Sequence, residues 1–166
     1  MELNSAVITL LKQRICQSWS DHDTGTPEEA TAHYAAEGRL NPIFDNSEVV
    51  VGRDQIYSWF QFQRNKFSAL ERWDFQHRVM SFHIQPHEQM VLCHSHLFTS
   101  GQKREESGRV RTFMVPGNSR DLWMELNGAW KIVSREIQVA FAAYGDPSKP
   151  TPLGFPTGGG RFEKES

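Results

Sequence analysis

The chain has 166 residues, 18 Lys and Arg against 20 Asp and Glu, and a formal net charge of −2. That length suits one domain with room for a core and an internal pocket. The charge balance offers no footprint for nucleic acid or anionic membrane, and no apolar run nears the roughly 20 residues of a bilayer span.

The N-terminus has no basic segment ahead of its short apolar stretch, so it does not read as a signal peptide. Two cysteines, Cys16 and Cys93, imply no disulfide framework, and a cytoplasmic setting is expected. Asn4 or Ser5 can cap a first helix over residues 4 to 20, with Val7, Leu10, Leu11, Ile15 and Trp19 at helical spacing. Gly25 and Pro27 punctuate its end. Thr26 caps a second helix that is expected to run through Tyr34 and Ala35 and stop at Gly38. Short extended pieces follow at Arg39 to Phe44 and at Val49 to Val51. A third helix is expected from Gln55 to about Asn65, with Ile56, Trp59, Phe60 and Gln63 on one face.

The segment from Trp73 to Ser100 alternates with period 2 on both sides of Gln85-Pro86-His87-Glu88, as a hairpin with a four-residue loop would. Pairing Ile84 with Gln89 sets His77 opposite His96 and Val79 opposite His94. Trp73, Phe75, His77, Val79 and His83 then share a face with Met90, Leu92, His94, His96 and Phe98. Three imidazoles would converge on an apolar surface, an arrangement suited to proton transfer. The same groups could stay as hydrogen-bonded core histidines, or His77 with His94-x-His96 could bind a metal. No metal and no cofactor are assigned on this pattern.

A charged loop, Gly101 to Arg109, leads to strands at Val110 to Val115, Arg120 to Leu126 and Trp130 to Phe141. Pro116-Gly117 suggests a bulge or kink, and Asn127-Gly128 marks a tight hairpin. If that hairpin sets Arg120 opposite Arg135, the pair forms an anion site when inward and a solvated pair when outward. Parity stays open, because Trp123, Trp130 and Ile132 make a competing apolar face. Residues 145–166 are rich in Pro and Gly and read as a flexible tail in which Phe155 or Phe162 could dock. Residues 1–144 form the domain. Asp21 and Asp23, beside His22, sit at the end of the first helix. Either carboxylate could serve a pocket as a base or simply make turn contacts. Nucleotide-phosphate, Rossmann and serine-nucleophile motifs do not occur.

Tyr34 to Leu40, Val50 to Phe60, Gln76 to Ile84 and Asp121 to Ile137 resemble the nuclear transport factor 2-like superfamily, in particular its SnoaL-like branch, over roughly residues 5 to 142. The resemblance implies an α+β fold: a cone-shaped, curved antiparallel sheet wrapped by three N-terminal helices. Gln76-His77 resembles the active-site position of scytalone dehydratase-type enzymes, which also use a carboxylate or tyrosine near the end of the first helix. Polyketide cyclases share the branch. The expected function is cofactor-independent acid-base chemistry on a small, largely apolar polyketide- or terpenoid-like molecule. His77, His96, His94 and Asp23 are the catalytic candidates, and Trp59, Trp73, Phe75, Phe98 and Arg120 the substrate-binding ones. A homodimer through the sheet is implied. The alternative is a non-catalytic scaffold, as in the β-subunits of ring-hydroxylating dioxygenases.

Overall fold

The computed structural model describes residues 3–42, 48–69, 72–104 and 107–139. The C-terminal tail with Phe155 and Phe162 lies outside them. Helix α1 (Ser5–Thr24) starts at Asn4, whose side chain accepts from the Val7 amide at 2.9 Å. Leu11, Ile15, Ser18, Trp19 and His22 form its buried stripe, the one-sided pattern of a helix laid on a core. It ends at Gly25, whose amide donates to the Asp21 carbonyl. Thr26 opens helix α2 (Pro27–Ala32) with a capping box closed by Glu29.

Strand β1 (Tyr34–Pro42) begins where the second helix is expected to continue. Tyr34 and Leu40 are fully buried, and β1 runs parallel to β6 (Ala129–Val139). Gly38 is therefore not a helix cap. It lies where the β1 register shifts, and a Cβ there would sit 3.0 Å from the Ala35 carbonyl and 3.2 Å from that of Ile132. Close backbone approach, rather than helix termination, explains this glycine. Strand β2 (Val50–Val51) pairs with β1, and helix α3 (Arg53–Ala69) follows Gly52.

Strands β3 (Arg72–His87), β4 (Met90–Arg104) and β5 (Val110–Leu126) complete a six-stranded sheet in the order β2-β1-β6-β5-β4-β3. The architecture is α+β. Its sheet is antiparallel except for the β1–β6 pair, a long-range contact that local pattern does not encode. Helix α1 lies on β3, and α3 lies against β1, β2 and β3. The core between them holds Leu11, Ile15, Trp19, Ile56, Trp59 and Phe60 together with inward residues of the sheet. Among the described residues no helix is long and apolar enough to cross a membrane.

Both long hairpins differ in detail from expectation. Pro86 continues β3, and the turn is Glu88-Gln89, with Glu88 at φ 55°. Proline is tolerated there because β3 is an edge strand and one side of its backbone needs no ladder bond. Pro116 likewise produces no break. It flanks the point where β6 pairing begins, at Gly117 opposite Val139, and β5 stays continuous through it. The Asn127-Gly128 turn forms as expected, with both residues at positive φ.

Candidate active site

Two bulges decide which side chains face inward. In β3 the register shifts between Val79 and Ser81, leaving Met80 without a partner and strongly exposed. Below the bulge His77 pairs with Thr99 and Val79 with Leu97; above it Ser81 pairs with His96 and His83 with His94. Thr99, Leu97, Ser95, Cys93 and Val91 are buried, while His94 and His96 are exposed on the opposite face. The expected meeting of His77, His94 and His96 therefore does not occur. Val91, Cys93 and Leu97 are the more apolar set, and their burial turns the alternating histidines outward.

Two further candidates are relocated on the same grounds. Phe98, half-buried, is on the outer face opposite Pro116. Arg120 is exposed, with Glu136 and His94 as its cross-strand neighbours. A shift between Leu122 and Trp123 sets Asp121, not Arg120, against Arg135. The Trp73 side chain lies outside the described residues.

What the fold does bring together is His77 with Asp23. Asp23 is at the C-terminal end of α1. Its Oδ2 accepts from the His77 backbone amide, and its Oδ1 lies 2.5 Å from His77 Nδ1. The His77 side chain is 9% exposed and that of Asp23 3%, so solvent barely screens the contact. A carboxylate only accepts, so Nδ1 carries the proton and Nε2 is the basic nitrogen. The His77 ring stands 4.7 Å from Trp19, 5.1 Å from Phe75 and 5.3 Å from His22, centroid to centroid. Trp59 and Phe60 close the cage around His22 at 5.7 and 5.1 Å.

His22 is buried, and its Nδ1 has no hydrogen-bond partner among the described residues; the indole nitrogens of Trp19 and Trp59 are also buried and unpartnered. Orphaned buried polar atoms are rare in folded proteins and point to a bound molecule or water. Burial holds the His22 pKa well below the ordinary histidine value, and the charges of His77, Arg135 and Arg64 push it the same way. His22 is thus a neutral imidazole beside the dyad. Extending the Leu11-Ile15-Trp19 stripe of α1 by one turn reaches it, which is the signal that identifies it in the sequence.

Arg64 has no such signal. From α3 it donates to the carbonyls of Asp21, His22 and Gly25 at 2.6 to 3.1 Å, satisfying the open end of α1 and fixing the turn that carries His22 and Asp23. Asp21 points elsewhere: it accepts from Gln17 and pairs with His33 Nε2 at 2.6 Å, tying α1 to the end of α2. Below the cage, Arg135 makes a bidentate contact with Asp121, reaches Ser18 Oγ at 2.8 Å, and lies 4.3 Å beneath the Trp19 ring. Burial, the largest single influence, would lower the Arg135 pKa, but Asp121, Tyr34 and Cys93 together raise it and keep the guanidinium charged.

No protein-family model and no curated protein matches the sequence. Solved structures do match it. One from Novosphingobium aromaticivorans, described as a candidate aromatic ring hydroxylase, superposes with a TM-score of 0.69 at 12% identity, over 84% of this chain and 93% of that one. A Catenulispora acidiphila protein in complex with S-DNPA gives 0.64 at 14% identity, over 82% and 95%. A nuclear transport factor 2-like protein with a cystatin-like fold, also from Novosphingobium aromaticivorans, gives 0.61 at 14% identity, over 84% and 91%. With its helices laid across one curved sheet, the chain shares the cystatin-like fold of these solved structures.

Proposed function

We propose that this is a cofactor-independent acid-base enzyme of the SnoaL-like type. It would dehydrate, isomerise or cyclise a small, largely apolar molecule bearing a carbonyl and a hydroxyl. The observation that carries this reading is the buried Asp23–His77 hydrogen bond inside an aromatic cage. His77 Nε2 removes a proton from the carbon beside the carbonyl, and Asp23 stabilises the imidazolium that forms. In a dehydration the imidazolium returns that proton to the departing hydroxyl, so the net change is loss of one water. His22, neutral, offers its unpartnered Nδ1 edge to the substrate oxygen. Trp19, Trp59, Phe60 and Phe75 supply apolar and stacking surface. A small ligand bound in the similar Catenulispora protein supports the same use of the interior here. A homodimer through the outer face of the sheet belongs to the proposal, supported by the exposed Met80 and Met114 on β3 and β5.

The test is a panel of aromatic β-hydroxy ketones and phenolic polyketide-like compounds, followed by mass spectrometry and absorbance. His77→Ala and Asp23→Asn are expected to lower kcat by about 10²–10⁴-fold, with KM changing far less. Wild-type turnover in both variants would sink the reading.

A further inference from the structure

We infer that His22, Asp23 and His77 bind one divalent transition-metal ion. One ligand atom from each residue lies within 4.8 Å of the others. Donors bonded to one ion at about 2.0–2.2 Å sit roughly 3–3.5 Å apart, so the wider separations would close and the 2.5 Å Asp23–His77 contact would open through side-chain rotation. Two imidazoles and one carboxylate form a donor set for zinc, iron or cobalt rather than for calcium or magnesium, which prefer oxygen. Three protein ligands leave further positions open to water or a small molecule.

Three independent features favour occupancy. His22 is buried with an unpartnered ring nitrogen, so ligation would satisfy an atom that otherwise has no partner. The backbone carrying two of the ligands is already fixed by Arg64, so little ordering cost remains. Asp23 has a second oxygen on the His77 amide, which would hold the carboxylate in place while the first oxygen turns to the ion. The nearby Arg64 and Arg135 charges oppose a cation and would keep the affinity moderate.

The inference stands apart from the acid-base reading, and the two fail differently. Chelator-treated full-length protein is titrated with Co²⁺ and, separately, with Zn²⁺, by calorimetry and by the visible absorption of protein-bound cobalt. The expected result is one ion per chain and at least about a tenfold weaker affinity in His22→Ala and in Asp23→Asn. Asp23→Asn is isosteric and remains informative if the alanine variant misfolds. The double variant His94→Ala/His96→Ala, which removes the exposed His-x-His of the outer face, is expected to bind as the wild type does. No stoichiometric binding overturns the site. So does binding that survives in His22→Ala and Asp23→Asn, or that disappears in the outer-face double variant. Turnover is then measured in chelator. Activity that persists there and is inhibited by Zn²⁺ fits both proposals. Activity that requires the ion keeps this site and removes the cofactor-independent mechanism.

Discussion

Asp121 and Arg135 are 0% and 1% exposed, and each compensates the other's charge. Removing one partner strands a charge in a low-dielectric interior, which costs far more than the net value of the pair. Asp121→Ala should therefore destabilise the protein by about 3–5 kcal/mol, measured as a fall in the denaturation midpoint at unchanged slope. A loss well under that would mean Ser18 and solvent can hold the guanidinium. His22 gives a second prediction, in metal-free protein. Its folded pKa is depressed by burial, so the unfolded chain takes up a proton first as pH falls. Stability from this group is full above its ordinary value of 6.5 and declines as pH falls from there toward the folded pKa. His33 is lowered in the same direction, by burial partly offset by Asp21. His22→Leu should flatten the acid limb of stability against pH. An unchanged profile would assign that limb to other groups.

At the scale of elements, the end of α1 is held by another helix rather than by its own cap residue. Arg64→Ala removes charged donors from three carbonyls, and a loss of about 2 kcal/mol is expected in chemical denaturation. Catalytic or ligand-binding defects should accompany it, because His22 and Asp23 ride on that turn; Arg64→Lys restores charge without the forked geometry and should rescue only in part. The Met80 bulge is the second element-scale device. It lets His77 and Val79 face inward below it, and Phe82 and Ile84 pack on the core above it. Deleting Met80 forces one of these sets outward. The deletion variant should be strongly destabilised, whereas Met80→Ala, which keeps the bulge, should change thermal stability little.

For the whole molecule, the proposed pairing of two copies through the outer face predicts that Met80→Lys/Met114→Lys shifts sedimentation from dimer to monomer without unfolding the chain. An unchanged sedimentation profile would move the interface elsewhere. Much of the architecture was legible in the chain. Periodicity marked α1, α3 and both long hairpins, and Thr26 and Asn127-Gly128 marked a helix start and a turn. Those signals are legible because capping, amphipathic spacing and two-residue turns depend on neighbours a few positions away. Of the residues named from the sequence, His77 lies against Asp23 and Phe75, while Trp59 packs on His22. The start of β1 was not legible, because Tyr34 and Ala35 suit a helix locally and are held extended by β6, about a hundred residues away. Nor were the bulge at Met80 and the shift at Leu122: one extra residue reverses the facing of all that follows. So the sequence by itself determined the elements and the presence of an aromatic, histidine-bearing hairpin. Only the tertiary structure decided which imidazoles were inside. Helix α1 had to bury its stripe on the apolar side of the sheet, and that packing put His77 against Asp23 and turned His94 and His96 to solvent.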